Sequence, residues 1–287
     1  MKLQFFFSVM LALLIVAACS THHNKPIIDD ESGPINLIVR ADDIGSCHAA
    51  NLACIAAYRD GIVRSVEVMV PCPWFLEAAE MLRENQGLDV GVHLTLNSEW
   101  KNYKWGALTN GKTLVDENGY FYSRTEQFKN AGIDLNELET ELRAQIEMAL
   151  KYIPQVSHLS SHMNTCVAEP EYRAIVEKLS AEYNLPMSPK NLTDAFEFWE
   201  VPFNEKEKTL VKKLNELTPG TWLFVCHPAY KAAETRALSG INTDYDADIH
   251  MAEHRDVVAK LMKSERIKKI IQKRNIRLLS YADTFTE

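Results

Sequence analysis

The sequence predicts an α/β fold, a parallel (β/α) barrel of about seven strands in the TIM-like manner, and three observations carry that expectation. Short apolar runs alternate with stretches of helical periodicity from about residue 34 to the end, the rhythm that builds parallel sheets with right-handed crossovers. The chain of 287 residues is long enough to bury one large core. The polar residues that stand out fall at the ends of the apolar runs, where a barrel gathers its chemistry on one face.

A separate segment precedes that domain. Lys2 gives a positive start, Phe5 to Ala18 is apolar almost without a break, and Val16-Ala17-Ala18 places small residues before Cys19. So short a run suits a signal-peptide core better than a membrane span. Small residues ahead of a cysteine resemble a bacterial lipobox over residues 1–19. That implies lipidation of Cys19, membrane contact through the anchor alone and a place in the cell envelope, with a lean to the outer membrane because Ser20 follows. Residues 20–33 are polar and aperiodic, and read as a tether. A net charge of -8 argues against a nucleic-acid partner. Beyond Cys19 stand Cys47, Cys54, Cys72, Cys166 and Cys226, an odd set without a C-x-x-C pair. Neither a disulfide framework nor a structural zinc site is expected, and the five read as small buried hydrophobes.

The elements follow in order. Ile35 to Arg40 is a strand that runs into the loop Ala41-Asp42-Asp43-Ile44-Gly45, and Leu52, Ile55 and Ala56 have helical spacing. Val63 to Val70 is a β-branched strand stopped by Pro71 and Pro73; Trp74 to Arg83 is a helix; Leu88 to His93 is the third strand. Residues 98–124 break the rhythm with Trp100, Tyr103, Trp105, Tyr120 and Tyr122, an inserted loop or hairpin. Asp134 to Glu137 has capping-box spacing before the stripe Leu135, Leu138, Leu142, Ile146 and Leu150. Val156 to Leu159 is a fourth strand, Pro170 opens a helix, and Leu185-Pro186-Met187 is a weak fifth strand. A helix around Leu210, the strand Thr221 to Cys226, a helical stretch from Val257 to Ile271 and the strand Ile276 to Ser280 complete the barrel.

Asp42 and Asp43 follow the first strand, His93 ends the third, His162 follows the fourth and His227 ends the sixth. A carboxylate and two imidazoles with open positions make a catalytic metal site. A second aspartate beside the first suits a proton acceptor, since close carboxylates perturb each other's titration. Neighbouring strand residues face opposite ways, so both aspartates reach one site only if the chain leaves the strand there. His22, His23, His250 and His254 read as solvated.

With these residues in view the chain resembles the YdjC-like carbohydrate deacetylases, the family that includes chitooligosaccharide deacetylase. The resemblance is carried by Arg40-Ala41-Asp42-Asp43-Ile44-Gly45, Gly91-Val92-His93-Leu94-Thr95-Leu96, His158-Leu159-Ser160-Ser161-His162, Arg255, and Leu278-Leu279-Ser280-Tyr281-Ala282-Asp283. It implies a NodB-like barrel with one divalent metal ion, magnesium or zinc, on Asp43, His93 and His162. It implies Asp42 as the base and His227 as the donor to the leaving amine. The function it implies is hydrolysis of the acetamide of an N-acetylated mono- or oligosaccharide. An O-acetyl esterase on the same site and a glycan-binding lipoprotein without turnover stay open as alternatives, as does a homodimer. Ser160 stands where the family commonly has an aspartate, and Asn164 where it commonly has a second histidine. Glu67 and the aromatic insertion read as subgroup features. Trp100 and Trp105, with Arg255, are the expected substrate-binding residues; the insertion reads either as a sugar-stacking rim or as a hydrophobic cover.

Overall fold

The ten-residue strand β1, Ile35–Ile44, sets the architecture through its alternation. Leu37, Val39 and Ala41 enter the main core with the helices, while Ile38 joins a second, small cluster with Leu223 and Tyr281. A period of two therefore puts Arg40 and Asp42 on the Ile38 side of the sheet. The computed structural model describes residues 33–238 and 249–285. The signal peptide, the lipobox with Cys19, His22, His23 and the tether up to residue 32 lie outside the described residues.

Six further strands follow: β2 (Ser65–Val68), β3 (Asp89–Leu94), β4 (Val156–Ser161), β5 (Leu192–Phe196), β6 (Gly220–Cys226) and β7 (Arg277–Leu279). All their pairings are parallel, in the order β4-β3-β2-β1-β6-β5, with β7 beside the start of β1. This is the expected α/β architecture, an incomplete barrel: among the described residues β4 and β5 form its unjoined edges. The helices are α1 (His48–Arg59), α2 (Phe75–Arg83), α3 (Thr125–Lys129), α4 (Leu135–Tyr152), α5 (Pro170–Tyr183), α6 (Lys206–Glu216), α7 (Ala233–Ala237), α8 (Met251–Leu261) and α9 (Glu265–Lys273). Among the described residues no helix is long and apolar enough to cross a membrane.

Three local expectations are corrected. The fifth strand is not Leu185–Met187. Pro186 has no N–H to give a ladder, and its carbonyl takes one bond, from Leu159 N at 3.0 Å, while β5 forms later against β6. The chain does not leave the strand before the aspartates: β1 runs on to Ile44, and the turn is a register shift against β2 between Ala41 and Ile44 with Asp43 at φ 71°. Asp134 caps α4 by accepting from Asn136 N and Glu137 N, but the capping box is not closed. Glu137 turns instead to Thr113, accepting its backbone N–H at 2.8 Å and its hydroxyl at 2.7 Å. One turn along, buried Glu141 accepts from Leu108 N and Thr109 N. Two carboxylates of α4 thus fasten the insertion to the body.

Candidate active site

The left-handed backbone at Asp43 swings its side chain to the face that Asp42 already occupies, at the carboxyl ends of β1, β3 and β4. Asp43 Oδ2 accepts from Arg255 Nη2 at 2.7 Å, whereas its Oδ1 is buried with no hydrogen-bond partner. That oxygen lies 3.7 Å from His93 Nε2 and 3.5 Å from His162 Nδ1. The ligand atoms of the three residues lie within 4.8 Å of one another. Tetrahedral ligands about 2.0–2.1 Å from a cation stand roughly 3.4 Å apart. The orphan oxygen, its spacing and the N,N,O donor set all fit a divalent ion.

His162 points back at the site because the chain reverses at once after β4, with Met163 at φ 50° and Asn164 at φ 57°. Asn tolerates that conformation and Met does so at a cost, the kind of strain that collects beside functional groups. On its far side His162 Nε2 meets Glu99 Oε2 at 3.1 Å. The other imidazole is fixed from below: His93 Nδ1 lies 2.7 Å from the hydroxyl of Ser160, its partner across the β3–β4 register.

Charges divide sharply over this small volume. Burial opposes the charge of His162, but Glu99 and Asp43 hold it up at about 10. Burial and the His162 charge push His93 down to about 3. Burial raises Asp43, yet Arg255 and His162 override it and hold the carboxyl well below its usual range. Burial raises Asp42 against the pull of Arg40, whose Nε and Nη2 each donate to it at 2.7 Å. Asp42 Oδ2 stands 3.8 Å from His93 Nε2. Two neighbouring carboxylates thus diverge, one firmly ionised and one more basic, the pattern that separates ligand from base. Burial also takes His227 down to about 4.

The structure brings Asp42, Asp43, His93, His162, His227 and Arg255 onto one cavity of about 900 Å³. Of the expected substrate-binding residues, Trp100 and Arg255 border the cavity and Trp105 does not. Trp105 is 3% exposed and does not reach the cavity; it packs edge-on against Trp100 at 5.4 Å. Trp100 borders the cavity at 1% exposure, and Arg255 covers it with the guanidinium 5.4 Å from the ring centre. So buried a ring offers little free face to a sugar, and its packing on Tyr103 and Trp105 makes this part of the insertion a hydrophobic cover. Arg255, 3% exposed, orients Asp43 by donating from Nη2 and also lines the cavity, with its Nη1 buried and without a hydrogen-bond partner. His254 is not solvated either: it is 1% exposed, near Phe203 and Trp199.

Several lining residues carry no signal in the sequence reading, Trp199 and Glu99 foremost. Half-buried Trp199 packs edge-on against His227 at 5.3 Å and borders the cavity with Glu197 and Glu200, just past β5. Strand ends carry the site, and a fifth strand at Leu185-Pro186-Met187 puts that end too early in the chain to reach Trp199. Glu99 follows the G-x-H-L-T-L segment by three residues and gave no pattern of its own.

The family described as YdjC-like protein matches residues 36–273. A carbohydrate deacetylase of Thermus thermophilus is 31% identical over 246 residues, covering 77% of this chain and 87% of the relative. One of Listeria monocytogenes is 29% identical, covering 80% and 96%. A solved structure from Enterococcus faecalis, provisionally named a cellobiose-phosphate cleavage protein, superposes with a TM-score of 0.70 at 25% identity, over 87% of this chain and 98% of that one. The chain belongs to the YdjC-like family.

Proposed function

We propose that this chain is a metal-dependent deacetylase that hydrolyses the acetamide of an N-acetylated sugar or oligosaccharide to acetate and the free amino sugar. The observation that carries the reading is the orphan Asp43 Oδ1 between His93 and His162, with the more basic Asp42 beside it. The names of the curated relatives point the same way.

Asp43, His93 and His162 would hold the ion. A divalent cation bound there supplies Lewis acidity, which polarises a carbonyl and makes water a stronger acid. Asp42, raised by burial, takes the proton of the attacking water, and Arg40 keeps the carboxylate aimed while it does so. The C–N bond then breaks and the nitrogen gains a proton. His227 enters the cycle neutral at pH 7, so it relays the proton gathered by Asp42 and does not bring one of its own. Trp199, more exposed than Trp100 although Arg255 lies 5.6 Å from its ring centre too, offers a half-buried aromatic surface on the cavity to a pyranose. The lipid anchor at Cys19 would keep this chemistry at the cell envelope.

The test is acetate release from N-acetylated oligosaccharides by zinc- or magnesium-loaded protein, alongside metal analysis of His93→Ala and His162→Ala. Near-stoichiometric metal in the parent, with metal and acetate release both lost in the variants, is the expected result. Loaded protein that releases no acetate from any N-acetylated sugar overturns the proposal.

A further inference from the structure

We infer that Glu67 is a positioning residue of this site, fixing the tautomer of His93 through the hydroxyl of Ser160. The role rests on the reading of His93 as a metal ligand, but its geometry is independent of any ion.

Strand register brings the parts together. Glu67 on β2 pairs with Gly91 on β3, Gly91 pairs with His158 on β4, and one step further along the same face His93 pairs with Ser160. Side chains two apart share a face, so all five residues point to the same side of the sheet. A carboxylate on β2 would ordinarily be screened from β4 by the side chain on β3. At Gly91 there is none: a Cβ there would land on Glu67 Oε2 and on His158 Nε2. The glycine is the gap through which Glu67 crosses a whole strand.

The hydrogen bonds then have one consistent direction. Glu67, fully buried, accepts the His158 Nε2 proton on Oε1 at 2.7 Å and the Ser160 hydroxyl proton on Oε2. A serine hydroxyl has a single proton. Once it is given to Glu67, Ser160 can only accept from His93, whose Nδ1 is 2.7 Å away. His93 must therefore carry its proton on Nδ1, which leaves the Nε2 lone pair aimed toward Asp43 Oδ1. The other tautomer would point an N–H at the metal position. The ring of Tyr281 stacks on His158 at 4.1 Å, and its hydroxyl accepts from Arg40 Nη1 at 2.7 Å. Arg40 Nε lies 3.7 Å from Glu67 and 2.7 Å from Asp42. One buried carboxylate thus joins the supports of the base and of a ligand.

Glutamine in place of Glu67 keeps the shape but not the chemistry, because its amide must face one of two donors with N–H. Ser160 can then turn its proton onto His93. The experiment is ¹⁵N NMR of the imidazoles in metal-free protein, followed by calorimetric zinc titration, for the parent, Glu67→Gln and Ser160→Ala. Expected are an Nδ1–H tautomer for His93 in the parent, a shift toward Nε2–H in Glu67→Gln, and zinc affinity weaker by about 10–100-fold in both variants, the usual cost of losing such a support. An Nε2–H tautomer in the parent overturns the inference without recourse to any variant. So does a folded Glu67→Gln that binds zinc like the parent. The expected tautomers in a parent that holds zinc but releases no acetate would leave the positioning role standing and sink the functional proposal alone.

Discussion

Two stretches of this chain are rich in conspicuous side chains, and they behave in opposite ways. At the strand ends, Asp42, Asp43, His93 and His162 converge from β1, β3 and the turn after β4, and one buried oxygen is left without a partner in their midst. In the insertion, Trp100, Tyr103 and Trp105 converge on each other, with ring centres 5.4–6.1 Å apart, and Arg255 covers Trp100. The lesson is that side-chain type alone does not mark a site. Polar groups brought together under burial must be satisfied by one another or by a ligand, so an orphan among them points outward. The indole Nε1 atoms of Trp100 and Trp105 are also buried without a hydrogen-bond partner, but the rings that carry them hold one another by contact and neither donor belongs to a ligand set.

The sharpest way to break that comparison is to disable each stretch in turn. Asp42→Asn should lower kcat by about 10²–10⁴-fold, the usual range for loss of a general base, while zinc affinity stays close to that of the parent because Asp43, His93 and His162 are intact. Arg40 keeps Tyr281 and the nearby Glu67, so the variant should remain folded. Steady-state acetate release beside a calorimetric metal titration reads both quantities. Unchanged turnover would falsify the role of Asp42 as the base.

The reverse pattern belongs to the insertion. Trp105→Ala removes a ring that is 3% exposed, with loss of its packing on Trp100. It should cost about 3–5 kcal/mol of stability, seen as a lower denaturation midpoint, with KM for an N-acetylated oligosaccharide changed by less than about threefold below the melting transition. A large rise in KM in a stable variant would return the tryptophans to the substrate.

Much of this was legible in the sequence, for a definite reason. Strand ends in a parallel β/α fold converge whatever lies between them, so Asp42, Asp43, His93, His162 and His227 could be grouped from strand periodicity alone. What escaped depends on register. Trp199 lies past a strand that the pattern hides: Leu185-Pro186-Met187 looks like the fifth strand, whereas β5 starts at Leu192 and carries exposed Thr193, Asp194 and Ala195, giving no apolar alternation to read. Glu67 was visible only as an odd residue in an apolar strand. Its reach to Ser160 needs Gly91 to stand beside it on β3, a fact about pairing that no local pattern contains. The insertion is hard to read because tryptophan and tyrosine suit sugars and cores equally, and only the burial of Trp100 and Trp105 against each other separates the two.

The smallest expected effect tests whether the orphan oxygen marks a cation position. Glu99 and Asp43 hold His162 up at about 10, so at pH 7 it carries a proton. A metal needs the lone pair of that ring, so ligation must expel the proton. Zinc affinity should therefore rise about tenfold per pH unit between pH 7 and 9 and level off near pH 10, with His93, held down at about 3, contributing nothing over that range. Calorimetry in two buffers of different ionisation heat reads about one proton released per ion at pH 8. Glu99→Gln removes the leading cause that raises His162, so the release should shrink at pH 8 and the rise in affinity should shift to lower pH. Zinc binding at pH 8 with no proton released would mean that the ion sits away from His162, and the strand-end cluster would then resemble the insertion after all: a set of side chains that satisfy one another.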